Sequence, residues 1–169
     1  MSNIRTLINQ KLKSTMNKVE NRKILLMISG GLDSVVLFDI INKEKYYDIF
    51  LFHCNYNFQI NSNSAESFCR KLAKNNHCNI DIKKINIPEK NFEANAREIR
   101  YKEAYNLANK YSINIILTAH HQDDQLETLY MKDKNGSDWI SNIGIRDVYD
   151  KLRRPMLNIP KKDILLYAK

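Results

Sequence analysis

The chain has 169 residues, 43% of them apolar and 27% charged, a size and mix that fit one compact domain with a core of its own and leave no room for a second full domain. No run approaches the ~20 consecutive apolar residues of a membrane span, and the opening MSNIRTLINQ lacks the apolar centre of a secretory signal, so the expected location is cytoplasmic with no membrane partner. Cys54, Cys69 and Cys78 form no CxxC pair, which leaves a disulfide scaffold and a cysteine-ligated metal centre without support, and the 27 Lys plus Arg against 19 Asp plus Glu, net +8, favour an anionic partner such as nucleic acid or a nucleotide.

Ile4, Leu7, Ile8, Leu12 and Met16 recur at helical spacing, which predicts an amphipathic helix over Ile4 to Val19 ahead of the main domain. Lys23 to Ile28 (KILLMI) is too short for a helix and runs straight into Ser29-Gly30-Gly31, as a buried parallel strand entering a turn does. Asp33 to Asn42 then places Val36, Leu37 and Ile40 on one helical face. The alternation continues: strand Asp48 to Cys54, helix Ser64 to Asn75, strand Asn79 to Ile87 ending at Pro88, helix Phe92 to Lys110, strand Ile113 to Ala119, helix Gln122 to Lys132. Four βα units in series predict an α/β fold, a doubly wound parallel sheet of Rossmann-like type with right-handed crossovers and helices on both faces. Beyond Lys134, Asn135-Gly136-Ser137 and Asn142 with Gly144 read as turns, and Arg154-Pro155 stands beside a short apolar Met156-Leu157. A last helix is expected after Pro160. The chain stops inside it, at DILLYAK, with no stop signal. The expected organisation is therefore an N-terminal helix over residues 1–20 and a nucleotide-binding domain over 21–169, truncated at its C-terminal end.

In doubly wound sheets the ligand lies beyond the carboxyl ends of the strands, which directs attention to Ser29-Gly30-Gly31-Leu32-Asp33-Ser34. Two glycines let the backbone turn tightly and present N–H groups to an anion at the start of a helix, and Ser29 and Ser34 add hydroxyls. Asp33 would repel phosphate unless a cation or a substrate ammonium lay between them. The alternative is a plain βα turn in which Asp33 and Ser34 cap the helix.

After the strand ending at Ala119 comes His120-His121-Gln122-Asp123-Asp124-Gln125-Leu126-Glu127-Thr128. Asp123 and Asp124, four and three residues before Glu127, share a helical side with it, an arrangement suited to a hard cation; magnesium takes one or two protein carboxylates and completes its shell with water and phosphate oxygens. The alternative is an acidic first turn that complements the helix dipole. In NFEANAREIRYKEAY, Glu93, Arg97 and Arg100 fall on one stripe, where planar guanidinium groups suit phosphate or transition-state charge; an ordinary surface ladder has the same spacing.

Taken in order, these blocks resemble the PP-loop ATP pyrophosphatase family (adenine nucleotide alpha hydrolase-like), and most closely its branch of tRNA(Ile)-lysidine synthetases. The resemblance runs through Ser29 to Ser34, His53-Cys54-Asn55, Glu93, Ala96-Arg97, Arg100-Tyr101, Ala119 to Thr128 and Arg154-Pro155, over residues 21 to 168. It implies a ligase forming a C–N bond: ATP would adenylate the C2 oxygen of the wobble cytidine in the CAU anticodon of tRNA(Ile), releasing pyrophosphate, and free L-lysine would displace AMP to leave lysidine. It further implies that Ser29, Gly30, Gly31, Leu32, Asp33, Ser34 and His53 bind ATP. Asp33, Arg97, Arg100 and His121 would serve catalysis, with Asp124 and Glu127, beside Asp123, on Mg2+. Three departures stand out. Tyr56-Asn57-Phe58-Gln59 replaces a segment with a second histidine followed by Gly-Leu-Arg, leaving an aromatic able to stack on a base. Asn135-Gly136-Ser137-Asp138 replaces Arg-Gly-Ser-Gly. The family's downstream Asp/Asn-rich segment and further tRNA-gripping domains are not in this sequence. Competing readings are a tRNA thiolase of the same fold, a small-molecule amidating ligase, and a non-catalytic nucleotide- or RNA-binding remnant.

Overall fold

The computed structural model describes residues 4–16, 22–57, 62–86, 91–134 and 144–169. Its centre is β1 (Lys23–Met27), fully buried from Ile24 onward because parallel strands are covered on both faces. Beside β1 lies β2 (Asp48–Asn55), paired in parallel from Lys23 opposite Asp48 to Met27 opposite Phe52. Beyond it is the edge strand β3 (Asn79–Lys84), in register from Phe50 opposite Asn79 to Asn55 opposite Lys84. On the other side of β1 sits β4 (Ile116–Leu117), then β6 (Leu152–Arg153), then β5 (Val148–Tyr149), giving the order β3-β2-β1-β4-β6-β5. All pairs are parallel except β5 with β6. Consecutive strands run outward from β1 in one direction and then restart on its other side, so the order reverses between β1 and β4.

Alternating residues of β1 feed two cores. Ile24 and Leu26 join α1 (Ile4–Met16), α2 (Leu32–Lys43), α3 (Ser62–Asn75) and α6 (Lys161–Tyr167) through Ile8, Leu12, Leu37, Ile41, Cys69 and Ile164. Leu25 and Met27 point the other way, onto Ala104, Leu107 and Ala108 of α4 (Phe92–Lys110) and onto Phe52 and Ile113. Helices therefore cover both faces as the alternation predicts. Among its described side chains α5 (Gln122–Lys134) contributes no buried residue, and its Leu126, Tyr130 and Met131 are exposed.

The elements depart from the sequence expectation in identifiable ways. Of the α1 pattern, Ile4, Ile8 and Leu12 are buried but Leu7 is exposed, and the expected continuation to Val19 lies outside the described residues. The strand expected over Ile113 to Ala119 is extended but meets strand criteria only at Ile116–Leu117. Its N–H and C=O groups alternate between neighbours, Leu25 N–H donating to Ile115 O at 2.9 Å and Ile116 N–H to Lys151 O at 2.9 Å. The β5–β6 hairpin is unforeseen, since two-residue strands carry no periodicity. Its turn uses Asp150 at φ 49°, a conformation that aspartate tolerates better than most residues. The turns read at Asn135-Gly136-Ser137 and Asn142, the end of the third strand at Ile87-Pro88, and Phe58-Gln59 lie outside the described residues.

Leu26 is 0% exposed, two residues before the end of β1's core run and three before the Ser29 loop. Leu26→Ala is expected to lower unfolding stability by about 2–5 kcal/mol in urea titration. A loss below about 1 kcal/mol would show that the strand carrying the loop is not held by its burial.

Candidate active site

Because the strand order reverses between β1 and β4, the loop after β1 and the loop after β4 open into one crevice at the carboxyl end of the sheet, where doubly wound folds hold ligands. The first loop is internally braced. Ser34 Oγ donates to Gly31 O at 2.9 Å and lies 3.0 Å from Ser29 Oγ, while Ser29 N–H donates to Ser34 Oγ at 3.2 Å and Gly31 N–H to Ser29 Oγ at 3.1 Å. The two serine hydroxyls expected to face phosphate are thus engaged within the loop, holding its shape. Gly31 is the N-cap of α2 with no side-chain cap, so the first N–H groups of the helix, at Leu32 and Asp33, have no partner inside it. Gly30 adopts φ +84°, which only glycine takes without strain.

His53, at the carboxyl end of β2, is 3% exposed and its Nδ1 lies 2.8 Å from Ile28 O. A carbonyl can only accept, so Nδ1 carries the proton and Nε2 keeps its lone pair; Nε2 is buried with no hydrogen-bond partner among the described residues. Burial pushes the His53 pKa down, against the pull of the Ile28 hydrogen bond, so the ring is a neutral acceptor beside the loop.

The strongest convergence is around Asp33. Its Oδ1 accepts a short charged hydrogen bond from Lys161 Nζ, at the start of α6, and its Oδ2 lies 3.7 Å from His121 Nε2. On the other edge of the same imidazole, Asp124 Oδ2 lies 3.6 Å from Nδ1 while accepting the His121 backbone N–H at 2.8 Å. Asp33 and Asp124, 91 positions apart in the sequence, thereby flank one ring. Asp123 Oδ1 turns away to accept Lys161 N–H at 3.2 Å, and Glu127 is exposed. The three carboxylates that helical spacing puts on one side are divided among different neighbours, and no group of three His, Cys, Asp or Glu side chains is assembled for a metal among the described residues. Asp33 and Asp124 stand on opposite edges of the His121 ring, so the described residues offer a magnesium ion separate carboxylates rather than a joint pair. One such carboxylate can suffice for an ion that takes its remaining ligands from water and phosphate.

Lys161 is the residue that sequence reasoning missed. A lysine in the first turn of a helix opposes the helix dipole, a misfit that in retrospect marks Lys161 for a partner elsewhere.

The arginine stripe lies at the same end of the fold. Tyr56 donates its hydroxyl to Ala96 O at 3.3 Å and meets Phe92 edge-on at 5.8 Å, pinning the first turns of α4 against the strand end. Tyr56 is therefore a strut for the helix rather than a free stacking surface. Arg97 and Arg100 both approach the Tyr101 ring, at 5.4 and 5.8 Å. Arg154, from the Arg154-Pro155 motif, is 7% exposed, reaches Arg146 O through its guanidinium and makes no ion pair among the described residues. Burial, followed by the positive charges of Arg154, Arg97 and Arg100, drives the His120 pKa from its usual 6.5 down to about 3, and Thr118 Oγ1 sits 2.8 Å from its Nδ1. Cys54 and Cys69 are each pushed up to about 11 by burial, so neither is a thiolate near neutral pH.

Two expectations follow from this geometry. A Cβ on Gly30 would stand 3.5 Å from Ala65 Cβ and Cys69 Sγ, which is ordinary contact. Gly30→Ala should therefore cost about 1 kcal/mol in urea titration through backbone strain alone, and an unchanged stability would contradict the left-handed turn. His120 binds its proton more weakly folded than unfolded, so the unfolded chain holds more protons between pH 3 and 6.5 and stability falls as the pH drops below 6.5. His120→Asn should flatten that fall, leaving the part due to His53; a slope unchanged by the substitution would contradict the buried, neutral ring.

The family model described as a PP-loop domain matches residues 4–169. The chain is 34% identical over 167 residues to the tRNA(Ile)-lysidine synthase of Buchnera aphidicola, covering 94% of this chain and 38% of that protein. It is 34% identical over 163 residues to the enzyme of the same name from Mycoplasma mycoides, covering 91% and 40%. The chain thus spans about two-fifths of the length of these curated relatives. Among solved structures, the U34-tRNA thiolase NcsA from Methanococcus maripaludis superposes with a TM-score of 0.78 at 16% identity, over 98% of this chain and 61% of that one. The NH3-dependent NAD synthetase of Campylobacter jejuni does so at 0.69 and 15%, over 98% and 70%; at such identities the likeness is one of fold. No helix among the described residues is long and apolar enough to cross a membrane. With a family model matching residues 4–169 and relatives 34% identical over more than nine-tenths of its length, this chain belongs to the PP-loop domain family.

Proposed function

We propose that this chain is the ATP-using catalytic domain of a ligase that joins L-lysine to C2 of the wobble cytidine in the CAU anticodon of tRNA(Ile), forming lysidine in the cytoplasm. The observation that carries the reading is the 34% identity to lysidine synthases over more than nine-tenths of the chain. It is supported by the meeting of the Ser29 to Ser34 loop with the His121–Asp124 helix start through Asp33.

In the first half-reaction the cytidine C2 oxygen attacks the α-phosphorus of ATP; an O–P bond forms, the bond to the β-phosphate breaks, and pyrophosphate leaves. In the second, the lysine ε-amine attacks C2, the C2–O bond breaks, AMP leaves, and the nitrogen loses a proton. The N–H groups at the start of α2 receive the phosphate chain, where fixed donors stabilise charge as it builds on the departing pyrophosphate. His53, a buried neutral ring held on Ile28 O, borders the loop that takes the nucleotide. Magnesium would be held by Asp124 with Glu127 one turn on, completing its shell with water and phosphate oxygens, and would neutralise phosphate charge. Asp33 orients the incoming ammonium or the ion beside it, and His121, between the two carboxylates, fixes their separation. Arg97, exposed on α4, and the half-buried Arg100 bind the adenylate or the tRNA backbone through charge-assisted contacts, and the +8 net charge favours the polyanion. A thiolase reading would need a reactive sulfur, and the raised pKa of Cys54 and Cys69 argues against it.

The test is pyrophosphate release from ATP with magnesium, L-lysine and an isoleucine tRNA bearing CAU, omitting each component in turn. Release that requires the tRNA, with a lysine-modified nucleoside formed only when lysine is present, is expected. Asp33→Asn should reduce it at least about 100-fold, the usual scale for losing a charged contact made in the transition state. Full activity without tRNA would overturn the reading in favour of a small-molecule substrate.

A further inference from the structure

We infer that Gln125 is a positioning residue, a latch that ties the acidic helix α5 to residues 144–147 and so sets where Asp124 and Glu127 stand; this rests on the reading that those carboxylates face the magnesium of an ATP site. α5 is not anchored as most helices are. None of its described side chains is buried, and Leu126, Tyr130 and Met131 are exposed, so an apolar face packed on the core does not fix its direction. Polar contacts hold it instead. At its first turn Gln122 N–H donates to Ile159 O at 3.0 Å, and Asp123 Oδ1 accepts the Lys161 N–H at 3.2 Å. Both of these ties lead to the segment entering α6, and alone they would let the helix pivot about that segment. The tie to a separate part of the chain is Gln125, whose Oε1 accepts the Ile145 N–H at 2.5 Å.

The receiving segment is itself held. Arg146 O accepts from the guanidinium of the buried Arg154 at 2.5 Å, and Asp147 O accepts the Arg154 N–H at 2.8 Å, so residues 146 and 147 are fastened to the turn after β6. Gly144 is fitted to the same contact. Its φ is not positive, unlike that of Gly30, so no left-handed turn calls for glycine there. What Gly144 supplies is room: a Cβ would stand 2.3 Å from Gln125 Nε2 and 2.6 Å from its Cδ, which places the flat amide directly against the bare α-carbon. A methyl group at this position would push the amide off the Ile145 N–H. Gln125 directly follows Asp124, whose Oδ2 accepts the His121 N–H at 2.8 Å and flanks the His121 ring. A helix released from the latch would therefore carry Asp124 and Glu127 out of place without disturbing the loop after β1.

The test is the magnesium concentration that half-saturates ATP binding, followed by calorimetric titration for the wild-type chain, Gln125→Met, Gly144→Ala and the double variant. Gln125→Met keeps the side-chain length and removes the acceptor; Gly144→Ala evicts the amide with the glutamine still present. Each single variant should raise the half-saturating magnesium about tenfold, the scale for losing a group that orients a metal-bearing side chain, while ATP affinity at saturating magnesium stays within about threefold of wild type. The double variant should be no worse than either single one, because both break the same contact. Unchanged magnesium dependence in either single variant, effects that add in the double variant, or a loss of ATP affinity that saturating magnesium does not restore would each overturn the role of Gln125 while leaving the nucleotide site in place. A wild-type chain that binds no ATP, or binds it independently of magnesium, would overturn both the inference and the reading beneath it.

Discussion

Everything at the candidate site depends on the reversal of strand order at β1 and β4. Because β1 pairs with β2 on one side and β4 on the other, the chain leaves both central strands at the same end of the sheet, and two segments some 90 residues apart come to share a crevice. Neither segment is a site by itself. The loop after β1 has helix N–H groups and a misplaced negative charge; the segment after β4 has carboxylates and histidines without an anion to serve. Placed side by side, they pair through the His121 ring, with Asp33 on one edge and Asp124 on the other.

Charge explains why the remaining parts are where they are. A crevice lined by Asp33, Asp123 and Asp124 would repel a nucleotide, and its compensation is drawn from three elements: Lys161 from α6, Arg97 and Arg100 from α4, and Arg154 from the turn after β6. The consequence is visible at His120, whose pKa falls to about 3 under burial and the arginine charges. Cations that are crowded together with too few carboxylates to pair them are costly in isolation. They are best understood as waiting for an anion, and the buried Arg154, with no ion-pair partner among the described residues, is the clearest case.

Much of this was legible in the sequence, and the limits are physical. Buried runs such as KILLMI and the repeated strand–helix alternation announce a doubly wound sheet because parallel strands must be apolar throughout, and the SGGLDS block directly after the first strand marks the candidate anion loop. The acidic helix was legible as a group but not in its detail: helical spacing puts Asp123, Asp124 and Glu127 on one side, yet tertiary hydrogen bonds send Asp123 to Lys161 N–H and Asp124 to His121 N–H. From sequence Tyr56 reads as an aromatic able to stack on a base, whereas its hydroxyl bond to Ala96 O ties it to α4. The β5–β6 hairpin left no periodic trace, and Lys161 was invisible because no local pattern reports a contact across 128 positions.

The most direct test of the central claim, that the loop after β1 and the helix start after β4 form one nucleotide site, is amide hydrogen exchange with and without ATP and magnesium. Simultaneous protection of the amides in Ser29–Ser34 and in His121–Gln125, lost together when magnesium is chelated, is the predicted result. Protection confined to one of the two segments, or to neither, would contradict the account.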